Sequence, residues 1–450
     1  MQIQRLSAED VARLGGPEAA AVSLRARIPR AVGVQDEVVA IIGDVRERGD
    51  EAVLDYTRRF DSPVADAEGL VVSAQELDEA MAALTSEVFA GLETAIANVA
   101  QVAAAGVQED VSITLPQGHQ VILRDVPVAS AAVYVPAGRA PYPSTVVMGT
   151  VTARAAGVLD VVICAPPGAD GRVDPVILAA CRLCGVSSVY RMGGAQAIAA
   201  LAYGTGAVQR VDVVVGPGNL YVQEAKRQLS DVVGIDGFAG PSDLLVVFDE
   251  EMDAELVALD LLAQAEHGPG TFVGALSTSP SALDVLEQRL GGLTGAGSPA
   301  VHPEACVLVQ LEDVRDAARL ANTFAPEHLE LIGPAAEALS PMIQSAGCLF
   351  VGARSATAFG DYVAGSNHVL PTAGAARFAS GLSTRHFRRR MSEVRIDDAA
   401  ASALAPIGAA VALSEGFEFH ARSMRVRAGE LEVGAREADQ APSQEESGLQ

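Results

Sequence analysis

Hydrophobic positions along the chain follow two different periods. Up to about residue 110 they recur every three to four residues. SAEDVARL, QDEVVAIIGDVRERGDEAVLDYTRRF and SAQELDEAMAALTSEVFAGLETAIANVAQVAAAG each set an apolar stripe against a polar face, which predicts helices. Ser7, with Asp10 three residues on, comes close to a capping box. Between 130 and 250 the pattern changes to short apolar runs alternating with helical segments. ASAAVYVPA, VLDVVICAPP, SSVYRMGG, RVDVVVGPG and DLLVVFDEE read as strands. STVVMGTVTARAAG, DPVILAACRLCG, AQAIAALAYG and NLYVQEAKRQLS read as helices. Short Gly/Pro turns join them, which predicts a parallel sheet covered on both faces, the doubly wound arrangement that binds ligands at the carboxyl ends of its strands.

A second α/β series follows over 251–370. MDAELVALDLLAQAEHG is a helix stopped at Gly268-Pro269. TFVGALSTS, ACVLVQ and GCLFVG read as strands; SALDVLEQRL, LEDVRDAARLANTF and AAEALSPMIQSAG read as helices. Residues 371–432 read as mostly helical, and READQAPSQEESGLQ as a disordered acidic tail.

Composition narrows the class. A chain of 450 residues predicts two or more domains, and 49% hydrophobic with 20% charged residues suits a globular enzyme. A net charge of -25 argues against nucleic acid or an anionic membrane as partner, since both call for basic patches. Lys226 is the only lysine, a bias attributable to genome composition. Of five cysteines, Cys181 and Cys184 form a C-x-x-C inside an apolar helical run, and no second pair completes a zinc site. The odd count fits a reducing compartment. The N-terminus does not read as a signal peptide, and no stretch of about 18 uncharged apolar residues predicts a membrane span, so a cytoplasmic location is expected.

Four histidine contexts carry candidate chemistry. Gln264 and His267 stand three apart at a helix end, so both side chains leave one face; they form an incomplete ligand set or an ordinary helix surface. Ala325-Pro326-Glu327-His328 offers a carboxylate to activate water and an imidazole to take a proton, or merely the capped start of a helix. Gly360-Asp361-Tyr362 with Gly365-Ser366-Asn367-His368 could bring Asp361 and His368 together, or could be a plain turn. Glu415 and His420 flank a helical turn, or a solvated helix end. The loops Gly193-Gly194-Ala195-Gln196 and Gly216-Pro217-Gly218-Asn219 each follow a strand and open a helix, as ligand loops do, but neither has the dinucleotide fingerprint. Residue chemistry alone supports a metal-assisted enzyme on an α/β scaffold.

YVPAGRAPYPSTVVM, GGAQAIAALAYGT, VGPGNLYVQEAKRQ, AGPSD, QAEHGP, APEHLEL, GDYVAGSNHVLPTAG and SEGFEFHARSMRVR, in this order from about residue 30 to 430, resemble the histidinol dehydrogenase family. The resemblance implies zinc ligands at Gln264, His267, Asp361 and His420, and an acid/base pair at Glu327 and His328. It implies substrate contacts at Ser242, His368 and Glu415 along with His328 and the zinc ligands, and cofactor contacts at Tyr134, Gln196 and Asn219. The implied reaction oxidises L-histidinol to L-histidine with two NAD and one water. One zinc per subunit is implied, in a homodimer whose C-terminal tail crosses to the neighbouring subunit. A paralogue acting on another small polar alcohol, such as a sulfonated propanediol, is the alternative; Arg354 and Arg385 would be its candidate cations.

The chain departs from the family pattern at Ala137, at Thr152, at Asp243 (usually Glu), in RSATAFGDY and at His386. The expected organisation is two Rossmann-like α/β domains with parallel sheets, a helical N-terminal segment and a helical C-terminal tail. The expected divisions are 1–30 for the N-terminal segment and 31–133 with 243–372 for the zinc and catalytic α/β domain. The NAD-contacting α/β domain is expected at 134–242, the helical tail at 373–432 and the disordered tail at 433–450.

Overall fold

The computed structural model describes residues 3–28, 33–65, 69–136, 140–238, 240–268, 270–294 and 305–431. The tail expected at 433–450 and the departure at Ala137 lie outside them. The strands are β1 (Ile3–Leu6), β2 (Val111–Thr114), β3 (Gln120–Pro127), β4 (Ser130–Tyr134), β5 (Asp160–Ala165), β6 (Val189–Arg191) and β7 (Val213–Val215). They continue with β8 (Gly234–Ile235), β9 (Asp243–Phe248), β10 (Phe272–Ser277), β11 (Ala305–Gln310), β12 (His328–Ile332), β13 (Cys348–Val351) and β14 (Arg388–Arg395). The chain divides into two compact units, residues 1–107 with 127–389, and residues 108–126 with 390–450.

Among the described residues the first unit holds two sheets, each parallel throughout. One has the order β6-β5-β4-β7-β8, the other β1-β11-β10-β9-β12-β13. Side chains alternate faces along each strand. Ala131, Val133 and Val135 therefore join one core while Ala132 and Tyr134 join the core on the other face. In the second sheet Leu245 and Val247 face one core, and Leu244, Val246 and Phe248 the other. Both sheets are buried on two faces, which is why their strands read as continuous apolar runs.

Packing departs from the expected grouping of segments. β1 pairs with β11, and helix Pro17–Arg25 packs on helix Val314–Phe324, so the N-terminal segment completes the six-stranded layer. The helices over 35–105 pack on those of the five-stranded sheet instead, because their apolar stripes (Val38, Ile41, Val45; Leu92, Ala95, Val99) match its uncovered faces. β4 starts that sheet at Ser130. Helix Ser86–Ala105 is, by length and composition, apolar enough to cross a membrane, contrary to the expectation of none. It carries Glu87 and Glu93, and it packs on helix Pro143–Ala155.

The second unit joins part of the segment expected as a helical tail to residues 108–126, which were expected in the first α/β domain. It contains an antiparallel hairpin, β2 with β3, turning at Gly118, with β14 alongside β3. Its helices Asp398–Ser414 and Glu418–Arg427 meet through Ala409, Ala412 and Ala421. A Cβ on Gly408 would stand 2.5 Å from Met424 Sδ, so that helix crossing needs a glycine.

Candidate active site

A cavity of about 550 Å³ lies in the first unit, and both sheets contribute to it. The five-stranded sheet supplies the carboxyl ends of its strands: Tyr134 closes β4, and Gly218 and Asn219 follow β7. β4 and β7 flank the point where strand order reverses, the position at which doubly wound sheets bind ligands. The six-stranded sheet presents the opposite ends. Ser242 precedes β9, Thr271 precedes β10, and Glu327 and His328 stand at the start of β12.

His328 therefore opens an interior strand that Glu327 immediately precedes, correcting the helix-start alternative. Glu327 is 7% exposed and His328 3%. Ser242 Oγ donates to Glu327 Oε2, and the Asp243 amide donates to the same oxygen at 3.1 Å. His328 Nδ1 lies 3.7 Å from Glu327 Oε2, and His328 Nε2 lies 3.7 Å from Asp361 Oδ1. Burial pushes the Glu327 carboxyl up to about 7, against the pull of the adjacent imidazole. Burial disfavours a charged His328 ring, but Glu327 and Asp361 outweigh it and lift the ring to about 9. Asp361 is the reverse case: burial raises it, and His328, His368 and His267 together hold it below the usual carboxylate range. A buried carboxyl that titrates near neutrality is suited to taking a proton from water.

The histidines share a tautomer. His267 Nδ1 lies 3.0 Å from the Gln264 carbonyl, His368 Nδ1 lies 2.9 Å from the Asp361 carbonyl, and His328 Nδ1 lies 3.4 Å from the Asp243 carbonyl. A backbone carbonyl only accepts, so each Nδ1 carries the hydrogen, and Nε2 holds the lone pair once the ring is neutral, which for His328 requires pH above about 9. His328 Nε2 is buried with no hydrogen-bond partner among the described residues. Gln264 Oε1 is in the same condition, while Gln264 Nε2 donates to Ser242 Oγ. An orphaned amide oxygen, an imidazole lone pair on His267 and the low-titrating Asp361 carboxylate make a donor set that fits a borderline cation such as zinc. Among the described residues no group of three His, Cys, Asp or Glu side chains is assembled as a metal site. One of these three donors is a glutamine, and the fourth expected ligand, His420, belongs to the second unit.

At the carboxyl ends of the five-stranded sheet, the Gly194 amide donates to Tyr134 Oη at 3.1 Å, tying the Gly193-Gly194 loop to β4. Asn219 caps helix Leu220–Gln228 by accepting from the Val222 amide at 3.2 Å. Gln196 is 1% exposed and does not line the cavity; its amide lies 3.5 Å from Asp61. His368 lines the cavity, with Nε2 3.3 Å from Thr145 Oγ1. The loop carrying it is anchored by Asn367 Nδ2, which donates to Met148 O and to Thr152 Oγ1, both at 3.1 Å, so the departure at Thr152 has a structural use. The departure at His386 has one too: it closes a capping box with Ser383. In the second unit, Glu415 ends helix Asp398–Ser414 and exposed His420 lies within the next helix, 5.2 Å from the Phe417 ring. The sequence reading missed Thr145, whose neighbourhood gave no chemical signal, and Arg25, which pairs with Asp243 from 218 residues away.

A family model described as histidinol dehydrogenase matches residues 26–428. Histidinol dehydrogenase of Gluconobacter oxydans is 42% identical over 424 residues, spanning 93% of this chain and 98% of the relative. That of Parasynechococcus marenigrum is 44% identical over 404 residues, 88% and 91% of the two chains. The crystal structure of histidinol dehydrogenase from Elizabethkingia anophelis superposes with a TM-score of 0.88 at 30% identity, covering 96% of this chain and 99% of that one. Sequence and fold agree, and the chain belongs to the histidinol dehydrogenase family of NAD-dependent oxidoreductases.

Proposed function

We propose that this cavity oxidises L-histidinol through L-histidinaldehyde to L-histidine, and that Glu327 and His328 divide the proton chemistry. The observation that carries the reading is the meeting, in one cavity, of the unpartnered His328 Nε2, the near-neutral Glu327 carboxyl and the β4/β7 switch point. NAD, when bound, accepts a hydride in each oxidation. His328 accepts the alcohol proton at Nε2 in the first oxidation. Glu327 takes a proton from water as the water oxygen adds to the aldehyde carbon, and His328 returns its proton to the carbonyl oxygen, giving the hydrate and freeing Nε2 for the second oxidation. His328 accepts the hydroxyl proton in the second oxidation, which leaves the carboxylic acid. Two hydrides and one water account for the change from alcohol to acid. Tyr134, Gln196 and Asn219 are assigned to the cofactor. Ser242, His368 and Glu415 are assigned to the substrate, together with His328 and the residues assigned to zinc.

Gln264, His267 and Asp361 would hold zinc, with the partner subunit's His420 as fourth ligand in a homodimer, and the partner subunit's Glu415 nearby. Zinc bound there would hold the imidazole and amino nitrogens of the substrate. The dimer reading is supported by apolar exposure on the second unit, where Ile407, Val411, Phe417 and Phe419 are uncovered. A cytoplasmic location is the reading that fits a biosynthetic dehydrogenase.

The sulfonated-alcohol alternative is not favoured. Among the described residues no Arg or Lys lines the cavity, and both Arg354 and Arg385 are exposed away from its lining. The test is metal content alongside turnover. A chelator should remove about one zinc per chain and abolish histidinol oxidation, with zinc restoring it, and Gln264→Ala should bind zinc more weakly in competition with a chromophoric chelator. Full activity in zinc-free protein would refute the metal assignment, and turnover of another polyol without histidinol turnover would refute the substrate.

A further inference from the structure

Arg25 is the last residue of helix Pro17–Arg25 and does not line the active-site cavity. Its guanidinium nevertheless reaches the backbone that carries Glu327. Nη1 donates to Asp243 Oδ2 at 2.6 Å. Nε and Nη2 donate to the Phe324 carbonyl at 3.1 and 2.6 Å, and Nη2 also donates to the Ala325 carbonyl at 3.1 Å. The guanidinium carbon sits 3.6 Å above the centre of the Phe324 ring. These carbonyls lie at the open end of helix Val314–Phe324, where a cation meets unsatisfied acceptors and the negative end of the helix dipole. Ala325, which ends that helix, has φ +50, a left-handed conformation that a non-glycine residue adopts only when its surroundings enforce it.

Asp243 completes the connection. Its side chain is fully buried, with one oxygen on Arg25 and the other accepting from the Glu327 amide at 2.7 Å. The Asp243 amide in turn donates to the Glu327 carboxylate. Glu327 is thus held at its backbone and at its side chain by one residue, and that residue is oriented by Arg25. A planar fork with several donors can serve an acid, two carbonyls and a ring face at once; a lysine ammonium cannot.

We propose that Arg25 and Asp243 are a positioning pair that sets Glu327 for the water step. This rests on the assignment of Glu327 to that step. Neither residue lines the cavity, and their side-chain bonds run to the backbone that carries Glu327 rather than to the His328 ring, so the first hydride transfer depends on them less than the water step does. Misplacing a catalytic group by about 1 Å costs on the order of 100-fold in rate.

The test uses the full-length, metal-loaded enzyme and L-histidinaldehyde, followed by NADH absorbance in both directions. Oxidation of the aldehyde needs water; its reduction by NADH does not. Arg25→Met should slow oxidation by about 10- to 100-fold while leaving reduction within about twofold. Arg25→Lys, a milder change should Arg25→Met not fold, should slow oxidation by a smaller factor and again spare reduction. Equal slowing of both directions, or no slowing of either, in whichever variant folds would overturn the proposal. Glu327→Gln run alongside separates the two ideas. If it slows both directions equally, the assignment of Glu327 falls and the proposal with it. If it slows oxidation alone while Arg25→Met does not, only the positioning role falls.

Discussion

Replacing Lys226 with Met should damage the β7 edge of the cavity through a buried ion pair. The lysine side chain is 1% exposed and that of its partner Asp236 7%. Lys226 Nζ donates to Asp236 Oδ1 at 2.7 Å and to the Gly216 carbonyl at 2.5 Å, and the Gly216 amide donates to the other Asp236 oxygen at 2.6 Å. The lysine and the aspartate therefore close a ring around Gly216, which starts the loop leading to Asn219. Of 32 Lys and Arg residues in the chain this is the only lysine, and a compact ammonium with three donors suits two oxygens in a dry site where a guanidinium fork does not. Removing one partner of a buried pair leaves an uncompensated charge at a cost of about 3–5 kcal/mol. At roughly 2 °C per kcal/mol for a large domain, Lys226→Met should lower Tm by about 6–10 °C. KM for NAD should rise with little change in KM for histidinol. Lys226→Met with Asp236→Asn should recover part of the loss, since no charge is then stranded. The measurement is thermal unfolding of the single and double variants with NAD titration of the rate. A Tm within about 1 °C of the parent, or additive losses in the double variant, would refute the reasoning.

Two further outcomes follow from the same edge. Burial pushes the Asp61 carboxyl, next to Gln196, up to about 6. Its ordinary value is about 3.9, so the folded chain holds a proton that the unfolded chain releases between these values. Stability is therefore lost as pH rises from about 4 through 6. Asp61→Asn should leave Tm unchanged near pH 4 and raise it above pH 6; a Tm difference that does not depend on pH would contradict this. A Cβ on Gly216, at φ +111, would stand 2.1 Å from the Tyr134 carbonyl, which is backbone and cannot yield. Gly216→Ala should cost on the order of 2–4 kcal/mol in thermal or denaturant unfolding from strain and overpacking together, and a neutral result would mean that the β4–β7 contact is looser than described.

What the sequence disclosed tracks how local each cause is. The alternating runs at 130–250 and the β9–β11 strands were legible because both sheet faces are buried and their strands are almost wholly apolar. β12 was not legible, because HLELI places His328 and Glu330 inside a buried strand. Glu330 Oε1 accepts from the Thr357 amide and hydroxyl, 27 residues away and invisible to a local pattern. β2 and β3 form an exposed hairpin with little apolar contrast, and β1 is a four-residue edge strand. AAEALSPMIQSAG read as one helix but breaks at Pro341 into Pro334–Glu337 and a 3-10 turn. Residue chemistry singled out Gln264, His267, Asp361 and His328, whereas the unpartnered state of Gln264 Oε1 and the shared tautomer needed coordinates. Arg25 lies far from the motifs it supports, so nothing in its neighbourhood announced a role.

The division of labour between Glu327 and His328 is tested most directly by counting NADH formed per L-histidinol at completion with NAD in excess. The parent chain should give two, Glu327→Gln should give one with aldehyde left behind, and His328→Ala should give essentially none. Two equivalents formed in Glu327→Gln, with both phases slowed alike, would contradict the assignment of the water step to that carboxylate.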